Sequence, residues 1–267
     1  MKPGIDKRKF FAINFYIITA VFFVVSIVWM LQHIKYHVLQ QHEQLQLFRT
    51  GWSYFTGYMG KPGGLLSYTG AFFSQFFFNH WIAASVMGGI IVLIYIIYIL
   101  VCRKKGNIYP VFSLTMILPV LLLMCVADPQ IKPSYLLGLL TCISFFLFFL
   151  QLKVNNRYIG GIILIVLAYF LSGGNGLLLG IFIIIDEMFR SERSWWFIGT
   201  VSIIMAVVPY CAWQMIYLVP LREAYFSLLP FNLIFPNKIA IITWILFPAF
   251  YAIWNRSGHF LSTVLYK

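Results

Sequence analysis

Eight apolar runs, separated by polar gaps, occupy residues 10–31, 81–102, 110–127, 135–150, 158–171, 176–185, 195–219 and 236–254. The first two carry no charge and are long enough to cross a bilayer core, which needs roughly 20 apolar residues per helical passage. The others are shorter or interrupted. None shows the strict two-residue alternation of a membrane β-strand, so helices must satisfy the backbone hydrogen bonds within lipid. The pattern predicts an all-α, polytopic helical membrane protein with about eight transmembrane helices, forming a single transmembrane domain over residues 1–267.

The gaps carry the topology signal. With the N-terminus inside, the inner segments hold thirteen of the nineteen lysines and arginines, including Lys7, Arg8, Lys9, Arg103, Lys104, Lys105, Arg157 and Arg190. The outer segments hold Lys35, Arg49, Lys61, Lys132, Arg222 and Lys238. The positive-inside rule then gives an N-in, C-in arrangement in a bacterial inner membrane. The formal net charge of +12 reads mostly as this asymmetry. No basic patch stands apart from the membrane flanks, so nucleic acid is not an expected partner, whereas membrane lipids are. The first run follows three basic residues but is too long for a cleavable leader and lacks a small-x-small site, so it reads as an uncleaved anchor.

The inner connections are short, which places the expected chemistry outside. The first outer loop, residues 32–80, carries Ile34, Val38, Leu45, Phe48 and Trp52 within about 40° of one line on a helix. That spacing predicts an amphipathic juxtamembrane helix. Lys61-Pro62-Gly63-Gly64 breaks it, and Phe72, Phe73, Phe76, Phe77 and Trp81 follow, a composition suited to the headgroup interface. Ser172-Gly173-Gly174-Asn175-Gly176 separates the fifth and sixth runs, which form either two thin crossings or a re-entrant hairpin. Pro119, Pro209 and Pro248 are expected to kink their helices.

Seven acidic residues are few enough for each to be considered. None lies near the middle of a run, which counts against an ion-coupled transporter. Glu43 on the first outer helix is a candidate general base or ligand to a divalent metal, and Asp128 can reach the same mouth. The cations Arg49, Lys61, Lys132 and Arg222 are candidate substrate-binding residues for an anionic lipid headgroup. The free N–H groups before Gly176 offer a second phosphate site. His33 and His37 form an i, i+4 pair without an evident third ligand. Cys102, Cys125, Cys142 and Cys211 fall within apolar runs at no metal or redox spacing, and read as small buried residues.

The motifs His42-Glu43-Gln44-Leu45-Gln46-Leu47-Phe48, Pro62-Gly63-Gly64-Leu65 and Gln75-Phe76-Phe77 resemble an uncharacterised family of bacterial multi-spanning membrane proteins. The layout of that family is similar to GT-C type membrane glycosyltransferases. The resemblance implies a catalytic acid in the first outer loop, a second acid after the third crossing and a polyprenyl-phosphate-linked sugar donor. Glu43 and Asp128 match those positions. GT-C enzymes usually place an aspartate where this chain has Glu43, carry a paired acidic motif where it has a lone Asp128, and continue further beyond the eighth crossing. A shortened member is therefore expected. The reading from another class is a non-catalytic membrane subunit or lipid-binding protein of an envelope assembly.

Overall fold

The computed structural model describes residues 7–34, 48–104, 115–190, 193–232 and 237–265. Every apolar run holds a helix: α1 (Lys7–His33), α4 (His80–Arg103), α5 (Ile117–Val126), α6 (Pro133–Phe149), α7 (Val154–Ser172), α8 (Asn175–Met188), α9 (Trp195–Met215) and α11 (Lys238–Leu265). The shorter helices α2 (Trp52–Met59), α3 (Gly64–Ser74) and α10 (Leu221–Phe226) lie in the connections. No strand occurs among the described residues. Four helices are long and apolar enough to cross a membrane, over Phe15–His33, His80–Arg103, Trp195–Met215 and Lys238–Arg256. This is a helical membrane protein.

Helix α6 forms the centre and packs against α3, α4, α7 and α8. Its buried Leu136, Leu139, Cys142, Ile143, Phe146 and Phe149 recur at three- and four-residue spacing, so one broad face of the helix carries the packing. Phe146 stacks on Phe182 of α8, with ring centroids 4.9 Å apart, and meets Tyr251 of α11 edge-on at 4.9 Å. Helix α1 packs chiefly on α4 and leaves Val21, Val24, Val25 and Val28 exposed, the face such a helix turns to lipid.

Lipid is as apolar as a leucine core, so helix association rests on close packing and interhelical hydrogen bonds. Several such bonds tie helix α11 to its neighbours. Tyr98 donates to the Phe247 carbonyl at 2.9 Å, Trp254 to the Cys102 carbonyl at 2.9 Å and Trp244 to Asn175 Oδ1 at 3.2 Å. Pro209 and Pro248 lie inside α9 and α11. Pro119 instead occupies the first turn of α5, where a missing N–H costs no intrahelical bond. Cys102, Cys125 and Cys142 are buried, while Cys211 is exposed on α9.

Two features of the first outer loop differ from the expected single helix. Residues 48–50 are not helical, and Gly51 is extended with φ −164° and ψ 146°, so Trp52 begins a separate helix. Val38 and Leu45 lie outside the described residues.

The glycine-rich turn is a tight, packed hairpin. Gly173 and Gly174 link α7 to α8, which lie against each other. Gly173 has φ +59°, and a Cβ there would come 3.1 Å from the Ser227 side chain. The N–H groups of Gly174, Gly176 and Leu177 donate to the carbonyls of Ser227, Gly173 and Gly174. Those bonds remove the free donors that a second phosphate site would need.

Candidate functional site

Two ends of the helical body concentrate the polar chemistry. At one, a cavity of about 580 Å³ opens between α2, α3, the N-terminus of α6 and α10. Ser53, Tyr54 and Tyr58 reach it from α2, and Lys61 and Pro62 from the following turn. Lys132, Ser134 and Tyr135 reach it from the start of α6, and Glu223, Ser227 and Leu228 from α10 and its continuation.

Local sequence explains how the two lysines come to the cavity. Each immediately precedes a proline, and a residue before proline is held extended. Lys132 has φ −72° and ψ 158°, with Pro133 opening α6. The positive end of that helix therefore lies beside the Lys132 ammonium, and both favour an anion. Lys61 leads into Pro62-Gly63-Gly64, where Gly63 takes φ +69°. A Cβ on Gly63 would come 2.7 Å from Leu228 and 3.0 Å from the backbone of Ser172 and Gly173, so only glycine lets these three segments meet.

Ser227 fastens the junction. Its hydroxyl donates to the Pro62 carbonyl at 2.7 Å and its carbonyl accepts from Gly174 N–H at 2.9 Å. Leu228 follows with φ 57°, a left-handed conformation costly for a side chain with a Cβ. Asn175, fully buried, donates to the Leu228 carbonyl at 2.9 Å and holds it there. Strain maintained by its surroundings is characteristic of functional sites.

The cavity is cationic in character. Among the described residues neither the Lys61 nor the Lys132 side chain has an ion-pair or hydrogen-bond partner. Burial lowers the Lys132 pKa below the ordinary 10.5, and the nearby Lys61 charge lowers it further. An anion between them would relieve that repulsion. Glu223 supplies a carboxylate, exposed on the first turn of α10. Tyr58 is held neutral, its pKa raised first by burial and then by its hydrogen bond with Tyr54.

Of the four cations expected to bind substrate, Lys61 and Lys132 line this cavity. Arg49 is exposed away from it, and Arg222 donates to the Phe231 carbonyl at 3.0 Å. Asp128 does not line it either. One of its oxygens accepts from Gln130 N–H at 2.9 Å and the other from the Asn237 amide at 2.7 Å. Asn237 in turn accepts from Ile239 and Ala240 at the start of α11. Glu43 and His37 lie outside the described residues. His33 faces the Trp29 carbonyl at 3.2 Å. No cluster of three metal-ligating side chains occurs among the described residues.

Sequence reasoning missed Glu223, Ser134 and Ser227 as cavity residues. A usable signal existed: two of the three Lys-Pro dipeptides, 61–62 and 132–133, mark the cavity lysines. Glu223 follows Pro220 by three, the spacing of an acid in the first turn of a helix.

The opposite end is built differently. Asp186 and Glu187, both fully buried at the end of α8, meet Arg157 of α7 and Arg190. Arg157 and the Tyr251 hydroxyl of α11 both donate to Asp186. Glu187 lies 3.9 Å from Arg157 and 3.8 Å from Arg190, and accepts from Ser194 N–H at 3.1 Å. Arg157 also sits over the Phe149 ring, 4.5 Å from its centroid.

A helical membrane protein with a cationic, hydroxyl-lined cavity at one end and a neutralised ion-pair cluster at the other is the class these features define. The chain belongs to the DUF6057 family, a family of unknown function, whose model matches residues 9–265. No curated protein and no solved structure matches the chain.

Proposed function

We propose that the cavity faces the outside of the bacterial inner membrane and binds the phosphate of a polyprenyl-phosphate-linked sugar, with the protein acting as a GT-C-like glycosyltransferase. The observation that carries this reading is the pair of lysines without internal counter-ions, set at a helix N-terminus and ringed by hydroxyls. Eight crossings with both termini inside put the cavity loops on that face, in accord with the positive-inside asymmetry.

In the proposed step, the Glu223 carboxylate takes the proton of an acceptor hydroxyl while the acceptor oxygen attacks the anomeric carbon. The bond from that carbon to the phosphate oxygen breaks, and its electron pair stays on the phosphate, where Lys61 and Lys132 offset the gathering charge. Glu43 is the second carboxylate to test as the base. Asp128, engaged by Gln130 and Asn237, has a positioning role at the start of α11.

That engagement of Asp128 favours one other reading, a non-catalytic lipid-binding subunit. A transfer assay separates the two. Protein reconstituted in nanodiscs is given a polyprenyl-phosphate-linked radiolabelled sugar and extracted envelope acceptors. The transferase reading expects carrier-dependent transfer that falls by about 10²–10⁴ in Glu223→Gln. Transfer insensitive to both Glu223→Gln and Glu43→Gln would overturn it, and binding without transfer would put the subunit reading in its place.

A further inference from the structure

The cavity wall is continuous with an aromatic path that leaves it. Tyr58 and Tyr54 line the cavity, with ring centroids 5.1 Å apart. Tyr54 meets Phe48 at 5.8 Å, Phe48 meets Phe72 at 5.5 Å, and Phe72 meets Phe76 at 5.4 Å. The last two rings are the exposed end of the path, at 41% and 37%. One end of this surface is cationic and hydroxylated, and the other is apolar and open.

From this continuity we infer that the path is the seat of the ligand's hydrocarbon chain. It holds a polyisoprenoid that runs from a phosphate at Lys61 and Lys132, over Phe48, to the bilayer at Phe72 and Phe76. The inference rests on the phosphate-binding reading of the cavity and names the groups that hold the rest of the same molecule. An ordinary belt of interfacial aromatics would be scattered around the protein's perimeter. These rings instead form one contiguous cluster, with Tyr68 of α3 against Phe48, Tyr54 and Tyr58, and the cluster reaches a cation-lined pocket. That arrangement fits an amphiphile with one anionic end. Flat ring faces offer good contact to the methyl branches of an isoprenoid chain.

A chain leaving lipid for protein gains little hydrophobic energy, because both surroundings are apolar. Position, rather than affinity, is therefore the informative readout. The probe is farnesyl phosphate with a photoreactive diazirine at the chain terminus, added to the protein in phosphatidylcholine nanodiscs. Labelled peptides are then mapped by mass spectrometry. Labelling of residues 48–78 is expected to exceed that of the lipid-facing faces of α1 and α9 by at least ~5-fold, the order of one or two aromatic contacts. The enrichment is expected to disappear in Lys61→Ala/Lys132→Ala, and to weaken in Phe72→Ala/Phe76→Ala, whose exposed rings leave the packed core untouched.

Binding of inorganic phosphate, followed by its competition with the probe, runs alongside. Even labelling of all exposed faces, with phosphate-competed binding intact, overturns the chain path and leaves the cavity reading standing. Labelling that neither phosphate nor the lysine substitutions alters overturns both. A dioleoyl phosphatidic acid probe that labels residues 48–78 as strongly as farnesyl phosphate assigns the path to diacyl lipid and overturns the isoprenoid assignment.

Discussion

Charged side chains collect at both ends of this protein, and their environments differ. At the ion-pair end, Asp186 and Glu187 are fully buried and face Arg157 and Arg190, so the group is neutral within itself. At the cavity end, Lys61 and Lys132 face an open volume, and no described side chain neutralises them. A buried charge must be compensated or it costs several kcal/mol. The first group meets that demand internally and so locks α7, α8 and α11 together. The second, with Lys61 exposed and Lys132 half-buried, is solvated by water and stays open to an anionic ligand. Charge compensation, rather than charge itself, separates the clasp from the site.

The sharpest way to break this contrast is Asp186→Ala. It leaves Arg157 buried beside a carboxylate it meets only at 3.9 Å, and it strips Tyr251 of its acceptor. Thermal unfolding in detergent is expected to register a loss of about 3–5 kcal/mol. An unfolding midpoint close to the wild-type value would show that the cluster is not the clasp. Lys132→Met should do the reverse. Phosphate-lipid binding is expected to fall by about 10–100-fold, the value of one charge-assisted hydrogen bond, while stability holds or rises. A destabilised Lys132→Met protein would place that lysine with the structural charges instead.

Ser227→Ala is expected to cost about 1 kcal/mol, the net value of its bond to the Pro62 carbonyl. Binding should weaken several-fold as the Lys61 turn loosens, and Ser227→Thr, which keeps the hydroxyl, should recover it. The smallest effect is a pH shift. Because Lys132 loses its proton more readily than an ordinary lysine, phosphate binding should begin to fall below the usual lysine range as pH rises. Lys61→Ala should move that fall to higher pH by removing the second cause of the depression. The stability sign is opposite. Between the lowered folded value and the unfolded value the unfolded chain binds more protons, so stability rises with pH across that window. A titration curve unmoved in Lys61→Ala would show that the two ammoniums do not interact.

The helices were legible because long charge-free runs leave a chain in lipid almost no other choice. Their ends were less so. The sixth run, read as 176–185, continues in α8 to Met188, because Arg157 and Arg190 let Asp186 and Glu187 stay helical and buried. Sequence placed those acids near basic residues but could not show that Tyr251, 65 positions away, completes the cluster. Lys61 and Lys132 were legible as outer cations, yet their meeting with Glu223 depends on α3 packing against α6 and on the Gly63–Gly173–Ser227 junction. Asp128 looked the same as a catalytic acid in the sequence. Beside the local bond from Gln130 N–H, Asn237, more than a hundred residues on, gives its other oxygen a structural bond. The helix expected from Ile34 to Trp52 is not continuous: residues 48–51 are non-helical, and Gly51 is extended before Trp52 opens α2.

The most direct test of the cavity's role is native mass spectrometry of the protein released from membranes supplemented with polyprenyl monophosphate. One carrier per chain, lost in Lys61→Ala/Lys132→Ala but kept in Arg49→Ala, is the expected result. Retention of phospholipid alone at variable occupancy, or a carrier bound equally well by the double-lysine variant, would contradict it.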